Sequence, residues 1–476
     1  MSKNINDNSK NQKGLLERLF KLKENGTSVK TEILAGLTTF ITIAYALLVI
    51  PNILKGAGMN SQGVFGDAAN NLGILNDPVV GAIFTATCVI FTISTLFMGL
   101  YANLPYALGP GMGLVAFFTY GVCLTMGFTW QEASAAVFIS GIVFIICTVT
   151  SLRQLIVNAL PKNIKIAMTS GIGLFIALIG FKNGGIVTSN PATLVQFGKF
   201  TDMGTLLTII GVLIMAVLMA RKVKGAMLIG IVATTIIGIP MGITNVSNIK
   251  IFSLPPSLEP TFLKMDFSGL LTHNGAGIIG AITAVIMVIL TFSLVDMFDT
   301  IGTLVGTAQK ANLIGDDGNP KNMNKALIVD SIATTISSFF GLPTVSVYIE
   351  SASGIADGGR TGLTAVVVSC FTALTLFFSG IVGIIPSQAT APALIIIGVL
   401  MLETIKNVDF STFDEAIPAF LTIVIMPFSY SIANGIACGI ITYPIMKLAV
   451  GKRKEIHPLM YILAALFILR YILIPQ

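Results

Sequence analysis

Two stretches decide how this chain is read: Asn103-Leu-Pro-Tyr-Ala-Leu-Gly-Pro-Gly-Met-Gly-Leu-Val-Ala-Phe-Phe118 and Gly341-Leu-Pro-Thr-Val-Ser-Val-Tyr-Ile-Glu-Ser-Ala-Ser-Gly-Ile355. Both are largely apolar, yet each is too short and too broken to be an ordinary spanning helix. Proline removes a backbone donor, and glycine permits unusual backbone angles. The N–H and C=O groups freed in this way cannot face lipid, so they must line a cavity enclosed by protein. Short interrupted segments at corresponding places in two halves of a chain point to a transport site. The run Gly109–Gly113 has a superficial likeness to a dinucleotide loop, but no strand–turn–helix context surrounds it.

The surrounding sequence belongs to a polytopic membrane protein. Of 476 residues, 54% are apolar and 11% are charged, and the mean hydropathy is +0.88. Soluble domains carry roughly 25% charged residues, so a soluble body of this size could not cover its surface. A spanning helix needs about 20 mostly apolar residues. Clear candidates are 33–54, 78–100, 133–151, 166–181, 204–220, 225–244, 276–298, 361–385 and 392–405. Weaker ones are 104–122, 325–342 and 343–357, and the run 413–447 holds two spans breaking near Ser431. That makes about 14 segments, with 458–474 either spanning or lying in the interface. The five cysteines sit in apolar stretches with no metal spacing. The net charge of +6 is scattered between apolar runs and gives no nucleic-acid signal.

Charge asymmetry orients the chain. With residues 1–32 as a cytoplasmic tail and strict alternation afterwards, 22 of the 28 Lys and Arg residues fall inside, as the positive-inside rule requires. The polar connection 245–275, placed outside, separates a first seven-segment repeat at 33–244 from a second at 276–476. An odd number of spans per half makes the second repeat run inverted, as in many secondary transporters. The spans 204–244 are joined by the basic turn Arg221–Lys224, and the counterpart turn in 413–447 has no basic residue, as inversion predicts.

Three acids lie within the apolar segments. Asp296 and Asp299 stand at the end of the apolar helix that closes with Val295-Asp-Met-Phe-Asp-Thr-Ile-Gly-Thr303, on one face by their i, i+3 spacing, with Thr300 and Thr303 on or near it. Glu350 lies inside the second broken segment. A carboxylate at membrane depth costs several kcal/mol unless it is paired, neutralised or hydrated. Three acids without three intramembrane bases cannot all be structural ion pairs, and protonation is the natural way to discharge them. That is what a proton-coupled carrier requires. The two histidines, His273 and His457, fall in loops, and no Ser–His–Asp or HExxH arrangement exists, so the chain does not read as an enzyme.

These residues carry a family likeness. The sequence resembles the AzgA-like purine permeases of the nucleobase–ascorbate transporter superfamily along nearly its whole length. The likeness runs through Thr31-Glu-Ile-Leu-Ala-Gly-Leu-Thr-Thr-Phe-Ile-Thr-Ile-Ala-Tyr45, Gly109-Pro-Gly-Met-Gly-Leu114, Val295–Thr303, Tyr348-Ile-Glu-Ser-Ala352, Gly358-Gly-Arg-Thr-Gly-Leu-Thr-Ala-Val-Val-Val368, Ala389-Thr-Ala-Pro-Ala393 and Ser431-Ile-Ala-Asn-Gly435. The resemblance implies an all-α membrane protein with the fold of the bacterial uracil permeases. That fold has fourteen segments in two inverted sevens, short strands in segments three and ten, and separate core and gate domains. It implies import of a purine base (hypoxanthine, guanine or adenine) with protons across the cytoplasmic membrane, without a cofactor, and often as a homodimer. By the same resemblance the substrate acids are Asp296 and Glu350, supported by Asp299. Val115 stands where the family usually has Asn. The main chain of Val115 and Ala116, with Ser351, would then meet the base. Phe117 or Phe298 would stack on it, and Gly111, Gly113 and Thr303 would support the site.

Rival readings are weaker. An anion carrier of the same fold would want an Arg or positive helix ends at the midplane in place of three acids. A channel would need repeated rings of charge or carbonyls. The orientation has a direct check: reporters fused at the N-terminus and within Lys452–Lys454 should both read as cytoplasmic, and an external reading at either point would overturn the topology.

Overall fold

Polar residues punctuate the apolar runs and set where helices begin. The computed structural model describes residues 14–69, 72–150, 159–246, 252–272, 277–311, 313–314 and 320–473; His273 lies outside them. Helix α1 (Val29–Leu54) starts at Ser28, whose hydroxyl accepts from Thr31 N. Helix α2 (Pro78–Phe97), extended by a π-turn to Ala102, starts at Asp77 with Pro78 in its first turn. Strand β1 (Leu108–Pro110) leads into α3 (Met112–Ala116), which continues as a π-helix to Thr125. Helix α4 (Trp130–Val149) opens with a capping box between Thr129 and Glu132. Then come α5 (Lys162–Asn183), a hairpin of β2 (Val187–Asn190) and β3 (Leu194–Phe197), α6 (Met203–Ala220) and α7 (Ala226–Gly238).

The second half repeats the order. It holds α8 (Gly277–Ala311), α9 (Met323–Phe339), β4 (Val345–Val347) leading into α10 (Ser351–Ala356), α11 (Gly362–Thr375), α12 (Ser387–Leu402), α13 (Phe413–Phe428) and α14 (Ile432–Ala449). The break between α13 and α14 falls at Ser431, which caps α14 by accepting from Asn434 N. A last helix, α15 (Pro458–Leu473), packs on α14 and α8. Among the described residues, nine helices are long and apolar enough to cross a membrane. With the two broken segments and the shorter helices they make the inverted seven-plus-seven transporter fold.

One expectation is corrected. Asp296 and Asp299 do not end their helix, because α8 runs 35 residues and continues to Ala311. Past Asp299 the residues turn small and hydroxylated (Thr300, Gly302, Thr303, Gly306, Thr307). The apolar pattern fades there, but the buried Leu304 and Ala308 keep the turns packed. The acids therefore stand in the interior of α8.

Contacts sort the helices into two bodies. In the core, α1 packs on α10 and α11, α2 on α11, and α4 on α8 and α9. In the gate, α5 packs on α12 and α13, α6 on α7 and α12, and α13 on α14. Lipid offers little hydrophobic drive between helices, so small residues set how closely they approach. Gly173 of α5 and Gly398 of α12 meet backbone to backbone; a Cβ on Gly398 would come 2.6 Å from the Gly173 carbonyl oxygen. Across the boundary between bodies, Lys224 in the α6–α7 turn pairs with Asp357, which also accepts from Thr38 Oγ1 at 2.7 Å. At the end of α14, buried Lys447 lies among Asp414 (2.9 Å), Glu415 (2.7 Å) and Glu455 (2.7 Å), so that acid cluster is held by its own cation.

The start of α11 depends on a buried carboxylate from α1. Glu32, fully buried, accepts from Arg360 N at 2.9 Å, Thr364 N at 3.1 Å and Thr364 Oγ1 at 2.6 Å. Glu32→Ala should leave these donors unmet and destabilise the protein by about 1–3 kcal/mol. Glu32→Gln, which keeps one acceptor oxygen, should cost less. Denaturant unfolding of the purified protein in detergent reads both, and equal midpoints for wild type and Glu32→Ala would refute the assignment.

Candidate functional site

The two broken segments meet. Strands β1 and β4 pair antiparallel with Leu108 opposite Val347, Gly109 opposite Ser346 and Pro110 opposite Val345. The pairing extends through Tyr348 N to Ala107 O at 3.0 Å and Gly111 N to Thr344 O at 3.2 Å. A two-stranded ribbon still has two outer edges, and neither can be left bare inside a membrane. Side-chain hydroxyls fill both. On the β1 side, Leu108 N donates to Thr95 Oγ1 at 3.0 Å, and Leu108 O accepts from Ser94 Oγ at 2.9 Å. On the β4 side, Val345 N donates to Thr334 Oγ1 at 3.0 Å, and Val347 N to Thr300 Oγ1 at 3.3 Å. Gly109 is required because the ring of Phe91 occupies the place a Cβ would take.

Beside the ribbon lies a cavity of about 240 Å³. The core side of its lining includes Tyr45, Gly111–Gly113, Phe298, Asp299, Thr303, Ser346, Tyr348 and Glu350. The gate side is Thr169 from α5, Ile397, Leu400 and Met401 from α12, and Thr404 just beyond. The cavity thus sits between the two bodies, toward the end where α5 begins and α12 finishes. Among the described residues its lining includes no Lys, Arg or His, although Lys165 Nζ stands 5.9 Å from the ring centroid of Phe298 just behind it, and the two charged groups in the lining are the carboxylates of Asp299 and Glu350.

Each carboxylate has a defined setting. Glu350 Oε1 accepts from Tyr45 OH at 2.5 Å, so α1 orients it. Tyr348, two residues earlier, donates from its hydroxyl to Pro110 O at 2.6 Å and so ties the end of β4 to β1. Ser346 faces Asp299 across the cavity wall, and a Cβ on Gly111 would strike the Ser346 hydroxyl.

The expected site residues divide. Asp299, Glu350, Gly111, Gly113, Phe298 and Thr303 line the cavity together. Asp296 is outside the lining, 1% exposed, with Oδ2 accepting from Thr334 Oγ1 at 3.1 Å. Residues three apart on a helix differ by about 60° in direction, so the turn of α8 that aims Asp299 at the cavity aims Asp296 at α9. Val115, Ala116 and Phe117 lie deeper in α3, fully buried and outside the lining; Phe117 packs edge-on against Phe292, 4.9 Å between ring centroids. The main chain that reaches the cavity is that of Gly111, Met112 and Gly113, one turn earlier. Ser351 is also outside the lining, and its hydroxyl accepts from Ala107 N at 3.0 Å.

A model for a permease family matches residues 30–438. The chain belongs to that family. This permease is 42% identical to the adenine permease AdeQ of Escherichia coli (strain K12), over 98% of this chain and 99% of that protein. It is 41% identical to the guanine/hypoxanthine permease PbuO of Bacillus subtilis (strain 168), over 95% of this chain and 99% of that one. Among solved structures, it aligns with the transmembrane domain of a cyanobacterium bicarbonate transporter at TM-score 0.59 and 14% identity, covering 86% of this chain and 97% of that one. At that identity the likeness is one of fold alone.

Several residues of the candidate site were not singled out from sequence: Tyr45, Tyr348, Ser346 and Thr169 in the wall, and Thr95 and Thr334 behind it. The hydroxyl pairs Ser94-Thr95 and Thr334-Thr335, each in the helix just before a broken segment, were the available signal. Thr334→Val should leave Val345 N unpaired in a dry interior and cost about 1–3 kcal/mol of stability. Thr334→Ser should restore most of it. Thermal and denaturant unfolding in detergent check this, and a Val variant as stable as wild type would show that the β4 edge does not depend on the hydroxyl.

Proposed function

We propose that this permease imports purine nucleobases across the cytoplasmic membrane together with protons. The observation that carries the reading is the placement of Asp299 and Glu350 in one cavity between core and gate. A purine offers ring N–H donors and a flat apolar face. Ionised carboxylates accept those N–H groups, and Phe298 and Tyr348 supply aromatic surface. The relatives named as adenine and guanine/hypoxanthine permeases support the same substrate class. An inorganic anion fits the site poorly, because both charges in its wall are negative.

In this reading Glu350, oriented by Tyr45, takes the base, and Asp299 takes the proton. A proton on Asp299 discharges a carboxylate that would otherwise be carried through a low-dielectric barrier. Asp296 acts one step removed, by holding Thr334 and with it the edge of β4. The core moves against the gate and carries the loaded site from one face of the membrane to the other, with residues 1–32 on the cytoplasmic side.

The test is uptake of radiolabelled adenine, hypoxanthine, guanine, uracil and sulfate into cells lacking their own carriers, followed by counterflow in vesicles with and without an imposed pH gradient. Purine uptake should be accelerated by an inward proton gradient. Glu350→Gln should weaken purine binding by about 1.5–3 kcal/mol, on the order of 10- to 150-fold. Asp299→Asn should abolish accumulation against a gradient while leaving counterflow, and Asp296→Asn should leave affinity within a few-fold. Concentrative uptake by Asp299→Asn in response to the pH gradient would remove the coupling role, and uptake of sulfate but no base would overturn the substrate class.

A further inference from the structure

The gate side of the cavity is almost wholly apolar, with Ile397, Leu400 and Met401 forming most of it. Two hydroxyls interrupt it, and they differ. Thr404 is engaged: its hydroxyl donates to Met401 O at 2.9 Å and shares a hydrogen bond with Ser170 Oγ at 2.8 Å. Thr169, the eighth residue of α5, has no hydrogen bond from its hydroxyl to any of the described residues.

Unengaged threonine hydroxyls also occur at Thr39, Thr119 and Thr291, but these are buried away from the cavity; among the described residues of the gate-side wall, Thr169 is the one whose hydroxyl is left for a ligand. Inside a membrane a helical hydroxyl normally bonds back to the carbonyl four residues earlier, because nothing else is on offer. Thr87 bonds Ile83 O at 2.7 Å, Thr208 bonds Gly204 O at 3.0 Å and Thr234 bonds Gly230 O at 2.7 Å in this way. Thr169 does not bond Lys165 O, and it borders the cavity instead.

The opposite wall gives this hydroxyl a chemical task. The core presents Glu350, which accepts hydrogen bonds when ionised and uses N–H donors of the base. The edge of the base turned toward the gate is then left with acceptors, either ring nitrogens or an exocyclic oxygen, facing aliphatic side chains. A buried acceptor without a donor weakens binding, so a donor at this point of the wall selects for bases that carry the acceptor. We propose that the Thr169 hydroxyl donates to an acceptor on the gate-facing edge of the bound base and is a specificity-determining residue of the permease. The inference rests on the purine reading above. Because Thr169 belongs to the gate and Glu350 to the core, the base bridges the two bodies in this arrangement.

The experiment is equilibrium binding to the purified permease in nanodiscs. The ligands are hypoxanthine, adenine, guanine, unsubstituted purine and the 1-, 3- and 7-deaza analogues, each of which replaces one ring acceptor by C–H. Thr169→Val keeps the shape and removes the hydroxyl. Its Kd should rise about tenfold for bases that carry the acceptor. For the one analogue or base lacking that acceptor, which wild type already binds more weakly, the Kd should be unchanged. Thr169→Ser should keep the wild-type pattern, and thermal unfolding should show both variants folded. An equal rise for every ligand would mark a change in packing and overturn the proposal, as would no rise for any. Wild-type protein that binds none of the bases would overturn the purine reading itself, a result separate from any effect of Thr169.

Discussion

The structure depends on one constraint: backbone polar groups at membrane depth must all be satisfied. Helices meet it within themselves. The two places where the chain abandons helix, Leu108–Pro110 and Val345–Val347, meet it by pairing with each other. The outer edges of the pair are then closed by hydroxyls from α2, α8 and α9. With the ribbon closed on both sides, α3 and α10 can start beside it from opposite directions, and the cavity forms where the helical walls stop. The polar residues of this region thus divide between holding the backbone and facing the cavity. Thr334, Thr300, Thr95 and Ser351 belong to the first group, and Asp299, Glu350 and Thr169 to the second.

The division into core and gate follows from side-chain size as much as from order along the chain. Where Gly173 meets Gly398, two helices of the gate approach to backbone contact and form one unit. Between gate and core the meeting includes a cavity, contacts such as Asn183 Nδ2 donating to Tyr120 OH at 3.1 Å, and at one end the pair of Lys224 with Asp357. An exposed ion pair of this kind contributes about 0–1 kcal/mol, a size that a sliding boundary can break and remake. The stronger buried bonds lie within each body, those of Glu32 to the start of α11 in the core and that of Lys447 to Asp414 in the gate.

Much of this was legible in the sequence, for physical reasons that also mark where legibility stopped. Proline and glycine clustered in a short apolar run disclose a broken segment, whereas single prolines such as Pro51, Pro392 and Pro444 sit inside continuous helices, so both halves of the ribbon could be read directly. Acids in apolar surroundings are conspicuous for the same reason. Which acid faces the cavity was a different matter. Asp296 and Asp299 share a face in a helical projection, and only the packing of α9 against α8, through Thr334, assigns Asp296 to the protein interior. The length of α8 was hidden because a hydropathy scale cannot distinguish a helix that ends from one that continues in threonine and glycine. The residues of this segment that line the cavity, Gly111 to Gly113, precede Val115 and Ala116 by about one turn, because the position of the first helical turn depends on where β1 finds its partner. Thr169 was invisible: one threonine among many, distinguished by its place in the gate-side wall of the cavity with its hydroxyl unengaged.

The pairing of β1 with β4 also has a history in time. Leu108 finds Val347 only after more than two hundred further residues have been made. At a synthesis rate of about 5–20 residues per second, β1 waits on the order of ten seconds or more for its partner. Until then its open edge, already in the bilayer, has only Ser94 and Thr95 for company on one side. Neither half can complete this ribbon alone, so the first half is inserted as an unfinished structure that the second half closes. The ribbon beside the cavity therefore cannot close until the second half is present. A chain cut short before its tenth segment would carry an unpaired strand edge into the membrane.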